Sequence, residues 1–292
     1  MKNKKQGGNI KKESQVKKIP VKKASKKRKF EFTKMVASGN DFIIFDNRRA
    51  GLKNGPEIAR LLCVRTNGVG ADGLIFIESS KRADFKMRIF NPDGSEAEMC
   101  GNGIRCAVLY KGKKNTKVET LAGLLSAELK DAGIKVGMTD PKGLQLNVNL
   151  DLDGRIYQVN YANTGVPHSV YFVENLEATN VRLLGRIIRY HRDFEPVGTN
   201  VDFAKIIDQD TLQIRTYERG VEEETLACGT GSVASALVYH HKFVGTNGTY
   251  MVNIHTKGSE VLKIYFDYKD GSFSNVWLEG RAHMVYKGEC YV

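Results

Sequence analysis

The sequence predicts a mixed α/β protein of the α+β kind, organised as two repeated halves, each a set of strands around one apolar helix. Three observations carry that prediction. The steps Glu98-Met99-Cys100-Gly101-Asn102-Gly103 and Leu226-Ala227-Cys228-Gly229-Thr230-Gly231 are two copies of one pattern, Cys-Gly-x-Gly. Each copy leads into a stretch that reads as a helix, 104–111 and 232–241, and a helix apolar nearly all round should be buried. The remaining chain is rich in short apolar or alternating runs bounded by Gly, Asn or Asp, the pattern of strands.

Taken in order, residues 1–29 carry 13 Lys or Arg and one acidic residue, Glu13. Only Ile10, Val16, Ile19 and Val21 offer sizeable aliphatic side chains there, so this basic tail should be disordered. The chain's net charge of +12 belongs to it, because the remainder balances 32 basic against 32 acidic residues. Lys26-Lys27-Arg28-Lys29 leaves polyanion contact open as a secondary property, with a solvated extension as the plainer reading. The tail lacks the apolar segment of a secretory signal. No apolar run reaches the roughly 20 residues a spanning helix needs, so no membrane is expected. Five cysteines, an odd number, fit a reducing cytoplasm.

After the tail, strands are expected at 42–45, 74–77 and 86–90, with a short helix at 57–64. The helix behind Cys100 follows, then strands at 117–121, 125–130 and 144–150. Asp153-Gly154 marks a boundary between halves. The second half reads as strands at 156–163, 169–173, 200–207 and 212–217, then the helix behind Cys228. Strands at 250–255, 260–268 and 274–279 complete it. The expected units are the tail 1–29, an N-terminal domain 30–150 and a C-terminal domain 151–280.

A cysteine at a helix N-terminus meets unpaired backbone N–H groups and the positive end of the dipole, so its thiolate should be favoured and its pKa should fall. The glycines permit close approach of a ligand, and the free N–H groups suit a carboxylate. One such step alone is more often packing at a tight turn; two copies suggest a thiol on each face of one substrate, an arrangement that inverts a stereocentre. Cys63, Cys106 and Cys290 lack this setting. No Cys-x-x-Cys or His-x-x-x-His spacing is present, so no metal is expected.

The text around the cysteines resembles the diaminopimelate epimerase family. The resemblance rests on Asn91-Pro92-Asp93-Gly94-Ser95-Glu96, Glu218-Arg219-Gly220, Gly39-Asn40-Asp41-Phe42 and Gly68-Val69-Gly70-Ala71-Asp72-Gly73. Gly165-Val166-Pro167-His168 and Thr199-Asn200-Val201-Asp202-Phe203 complete it, in the family's order, from about Phe32 to the C-terminus. It implies two pseudo-symmetric domains, each a mixed barrel-like sheet around a central helix, with the active site in the interdomain cleft. Residues 281–292 would then complete the first domain.

The activity implied is that of an isomerase interconverting L,L- and meso-diaminopimelate, in lysine and peptidoglycan precursor synthesis. Proton transfer at the α-carbon would use two bases, a thiolate and a thiol, with no pyridoxal phosphate or other cofactor. The resemblance assigns catalysis to Cys100 and Cys228, with His168 beside the first and Glu218 beside the second. It places Asn40, Asn91, Asn200, Glu218 and Arg219 along the substrate. Asn102 and the amides of Gly101, Gly229 and Thr230 fall near the reacting carboxylate. Val166 stands where many members have asparagine, and Gly73 where some have glutamine. The alternative is a related proline or hydroxyproline racemase, against which Glu218-Arg219-Gly220 argues, because a monocarboxylic ring needs no distal clamp. The expected partner is a small-molecule substrate, with a homodimer left open.

Overall fold

The computed structural model describes residues 28–152 and 154–292, so the expected disorder and polyanion contact of the tail, up to residue 27, lie outside the described residues. The first half opens with a hairpin of β1 (Lys29–Ala37) and β2 (Asn40–Asp46), turned by Ser38 at φ 51° and Gly39 at φ 81°. Two successive positive φ angles give the turn whose twist matches the flanking strands, and they set Asn40 at the first position of β2. Through α1 (Asn47–Ala50) and α2 (Gly55–Leu62) the chain crosses to β3 (Gly73–Glu78), parallel to β2. Antiparallel β4 (Phe85–Phe90) and the short β5 (Glu96–Ala97) lead into α3 (Gly101–Lys111). Strand β6 (Asn115–Thr120) returns parallel to β4, and β7 (Gly123–Lys130) and β8 (Gly133–Gly137) extend the sheet antiparallel.

The second half repeats this pairing strand for strand. A hairpin of β9 (Lys142–Leu152) and β10 (Arg155–Asn163) is followed by β11 (Pro167–Phe172), antiparallel to β10. Helix α4 (Val181–Arg189) crosses to β12 (Asn200–Asp208), parallel to β11. Antiparallel β13 (Thr211–Glu218) and the short β14 (Glu223–Thr225) lead into α5 (Gly229–Tyr239). Parallel to β13 runs β15 (Gly248–His255), then antiparallel β16 (Val261–Lys269) and β17 (Ser272–Gly280). The last strand, β18 (His283–Tyr291), pairs antiparallel with β1, the position β9 takes beside β10. Pairing of β17 with β8 joins everything into one 18-stranded sheet. The boundary expected after residue 150 falls inside the β9–β10 hairpin, where Leu150 faces Tyr157.

Each half buries one of the cysteine helices. Ile104, Cys106, Ala107 and Val108 of α3 pack with Met35, Ile75, Phe85, Met87 and Val118 from the surrounding strands. Val233, Ala234, Ala236, Leu237 and Val238 of α5 pack with Val170, Leu212, Ile254, Leu262, Phe266 and Leu278. Each fully buried Ile, Leu or Phe contributes about 1.5–3 kcal/mol by leaving water. Outside the two cores, α2 and α4 cover the other faces of their sheets with Ile58, Leu62, Val181 and Ile188. Cys63 and Cys290 lie in the outer core of the first half. Among the described residues, no helix is long and apolar enough to cross a membrane.

Candidate active site

Both singled-out cysteines occupy the N-cap of their helix, in extended conformation, with φ −145° at Cys100 and −118° at Cys228. At that position the first N–H groups of the helix point past the side chain, unsatisfied by the helix itself. A Cβ placed on Gly101 would meet nothing within 4 Å, so the backbone there faces open space. The tip of the β1–β2 hairpin reaches the other half: a Cβ on Gly39 would lie 2.7 Å from Leu226 Cδ1, two residues before Cys228. Helices α3 and α5 touch. One carboxylate, Glu218 at the end of β13, acts electrostatically on both thiols. The two helix starts therefore share one site.

Around Cys100 the partners are amides and a guanidinium. Asn102, buried in the first turn of α3, donates from Nδ2 to Asn40 Oδ1 at 2.5 Å. Its Oδ1 accepts from Arg105 Nη2 at 2.7 Å, and Arg105 also reaches Ser38 Oγ at 2.5 Å. Asn40 in turn donates to Asp72 Oδ2 at 3.2 Å. Arg105 is fully buried, and its Nε and Nη1 have no partner among the described residues.

Around Cys228 the partners are acidic and basic. Parallel pairing of β11 and β12 sets His168 beside Asn200, and Asp202, two residues on, shares the face of Asn200. His168 Nδ1 lies 2.7 Å from Asp202 Oδ2, both residues fully buried, and His168 Nε2 lies 3.0 Å from Thr230 Oγ1. Cys228 Sγ is 3.5 Å from the same Thr230 hydroxyl. The hydrogen-bonded path from His168 therefore runs to the second cysteine. The parallel register presents His168 to the first turn of α5.

Asn200 is spent on architecture: Nδ2 donates to Pro167 O at 2.9 Å and Oδ1 accepts from Arg219 N at 2.8 Å. One N–H and one lone pair remain for a ligand. The Arg219 guanidinium donates to Val197 O at 3.2 Å and borders a cavity of about 870 Å³ with Val166, Pro167 and Glu98. Neither cysteine lines that cavity. Asn91 is exposed in the turn after β4, donating to Ser95 Oγ at 2.9 Å. The structure thus brings Cys100 together with Asn40 and Asn102, and Cys228 together with His168 and Thr230. Glu218 bridges the two sets, while Asn91 stands apart with its side chain engaged locally.

The thiols differ from expectation in one respect. Helix starts were expected to lower their pKa, and the N–H groups of Asn102 and Gly103 at Cys100, and of Gly231 at Cys228, do act that way. Burial acts oppositely and prevails, holding Cys100 above the usual thiol value and Cys228 well above it. Glu218 adds repulsion at both, and Asp202 adds more at Cys228. Burial likewise raises the Glu218 carboxyl.

Asp202 and Arg105 were not singled out from the sequence. Asp202 lies within Thr199-Asn200-Val201-Asp202-Phe203, and its spacing of two from Asn200 on a strand is the signal that marks it. Arg105 had one too: a charge midway along a helix that is apolar nearly all round.

The fold, the paired helix starts and the relatives below define a class, the epimerases. By structure the chain is similar to a phenazine biosynthesis protein of the PhzF family from Bacillus anthracis, with TM-score 0.71 at 18% identity, covering 91% of this chain and 100% of that one. It is also similar to a hydroxyproline epimerase from Agrobacterium vitis, with TM-score 0.67 at 16% identity, covering 92% and 93%. The chain belongs to the diaminopimelate epimerase family, whose model matches residues 32–144 and 160–282. The diaminopimelate epimerase of Aquifex aeolicus is 44% identical over 275 residues, 88% of this chain and 96% of that protein. That of Archaeoglobus fulgidus is 43% identical over 277 residues, 88% and 95%.

Proposed function

We propose that this chain is a diaminopimelate epimerase that interconverts the L,L and meso forms by moving the α-proton between Cys100 and Cys228. The observation that carries this reading is the pair of cysteine N-caps on equivalent buried helices, coupled through Glu218.

The α-hydrogen of an amino acid is a very weak acid, because its carboxylate already bears charge and removal creates a dianion. Two helix N-termini aimed at that carboxylate stabilise the developing charge where water is excluded. A thiolate on one face removes the proton, and a thiol on the other face delivers one, so the roles exchange with direction. The raised thiol pKa values suit this chemistry, since a thiolate held above its usual pKa is a stronger base once formed. The pair shares one proton and titrates as a unit.

In this reading Asn40 and Asn102 hold the reacting end of the substrate with the amides of Gly101, Gly229 and Thr230. Arg219, with Glu218 and Asn200, takes the distal amino-acid head, its planar fork matched to a carboxylate. Val166, on the cavity wall, leaves one distal hydrogen bond to water. Incubation in deuterated water with L,L- and meso-diaminopimelate and with L-proline tests the reading. Deuterium should enter the α-position of both diaminopimelate isomers and not that of proline. Exchange confined to proline would overturn it.

A further inference from the structure

We propose that Asp202 is a positioning residue that fixes the His168 tautomer, so that His168, through the Thr230 hydroxyl, takes up the proton of Cys228. The proposal rests on the two-thiol reading above and names what prepares the second thiol for its turn as base.

The argument follows the atoms. Asp202 accepts at Oδ2 from His168 Nδ1 at 2.7 Å, and its other oxygen accepts from Thr216 Oγ1 at 2.7 Å. Both carboxylate oxygens are thus held, and the buried carboxylate has one orientation. With its hydrogen on Nδ1, the neutral imidazole presents Nε2 as an acceptor. That acceptor faces Thr230 Oγ1 at 3.0 Å, so the hydroxyl donates to it and keeps a lone pair for the Cys228 thiol at 3.5 Å. In the transfer, the sulfur proton passes to Thr230 Oγ1 as the hydroxyl proton passes to Nε2. The S–H bond breaks, an N–H bond forms, the hydroxyl is regenerated, and the products are a thiolate and an imidazolium paired with Asp202. The fit against α5 is close: a Cβ on Gly231 would lie 2.2 Å from Asp202 Oδ1, so glycine is required there.

The charged groups facing Cys228 are Glu218 from β13 and Asp202 from β12, and those facing His168 are the same two. This makes the test two-sided. Asp202 repels the Cys228 thiolate directly, so removing its charge would by that path alone make the thiol more acidic. It also stabilises the imidazolium, in direct contact at 2.7 Å, so removing its charge makes proton transfer from the thiol harder. Coulomb energy falls with distance, and the contact pair prevails.

The experiment is alkylation of the substrate-free protein by iodoacetamide at pH 7.5, with rates resolved for Cys228 and Cys100 by peptide mass spectrometry. Asp202→Asn should slow Cys228 at least tenfold, shift its rate profile to higher pH and leave Cys100 within twofold. Thr230→Val should slow Cys228 likewise, and Thr230→Ser should restore the native rate. An unchanged or faster Cys228 in Asp202→Asn overturns the proposal. Should that variant not fold, an unchanged rate in Thr230→Val does the same. No substrate takes part, so the outcome is separate from which amino acid the enzyme accepts.

Discussion

Arg219→Ala measures how far substrate choice rests on the distal clamp. The Arg219 side chain borders the 870 Å³ cavity, and its one hydrogen bond among the described residues is to Val197 O at 3.2 Å. Truncating one partner of a buried hydrogen-bonded charge pair costs about 2–5 kcal/mol. Arg219 is half-buried and keeps contact with water, which places the loss near the lower end of that range. At about 1.4 kcal/mol per factor of ten, a loss of about 2 kcal/mol is roughly 30-fold in kcat/KM. Stability should hardly move, within about 0.5 kcal/mol, because the side chain supports little else in the fold. Arg219→Lys keeps the charge without the fork and should fall between the two. The assay is L,L-to-meso conversion by native and variant enzyme, beside α-proton exchange of lysine, which has the chain length but no distal carboxylate. Native enzyme should exchange lysine very slowly. If it exchanges lysine as readily as diaminopimelate, the clamp does not exist and a broader racemase is indicated.

Cys100→Ala and Cys228→Ala should each abolish epimerisation, because two faces need two groups; substantial turnover by either in the same assay would falsify the two-base mechanism. Alkylation of Cys100 should be slow near pH 7 and climb about tenfold per pH unit to beyond pH 9, since the reactive thiolate is the minor form below a raised pKa. A rate plateau below pH 8 would contradict that. Gly185→Ala places a Cβ 2.5 Å from Tyr217 Cβ, beside Glu218. Such overpacking should cost about 1–3 kcal/mol, a fall of roughly 3–10 °C in Tm by calorimetry.

Much of the fold class was legible because the duplicated cysteine step is local, and each copy announces its own helix. The register was not. Nothing in the strand pattern of 133–137 or 272–280 says that β8 and β17 pair, since that contact spans about half the length of the chain. Helix α4 was missed for a local reason. Its arginines and the interior Gly185 dilute the helical signal, and that glycine is there because Tyr217 packs against it. The spacing of Val181, Leu184 and Ile188, behind an Asn180 side chain that caps Leu183 N, was the clue. At the site, the two thiols could be read from helix starts, but their acidity could not. Burial depth depends on both halves together, and it outweighs the N–H groups that the sequence made visible.

The two halves repeat their backbone while their site chemistry diverges. After Cys-Gly, the first copy has Asn102 and the second has Thr230. Asn102 joins an amide and guanidinium chain through Asn40 and Arg105, whereas Thr230 joins a hydroxyl, imidazole and carboxylate chain through His168 and Asp202. Inversion of a stereocentre needs equivalent groups on opposite faces, and duplication supplies them as two identical N-caps. The substrate is not equivalent on its two sides, because its distal arm leaves the α-carbon in one direction only, toward Arg219 in the proposed pose. Identical surroundings would hold both thiols in the same protonation state when one must be base and the other acid. In the two-thiol reading, the departure from symmetry at Asn102 and Thr230 gives the two thiols different surroundings, while the repeated fold keeps both aimed at one carbon.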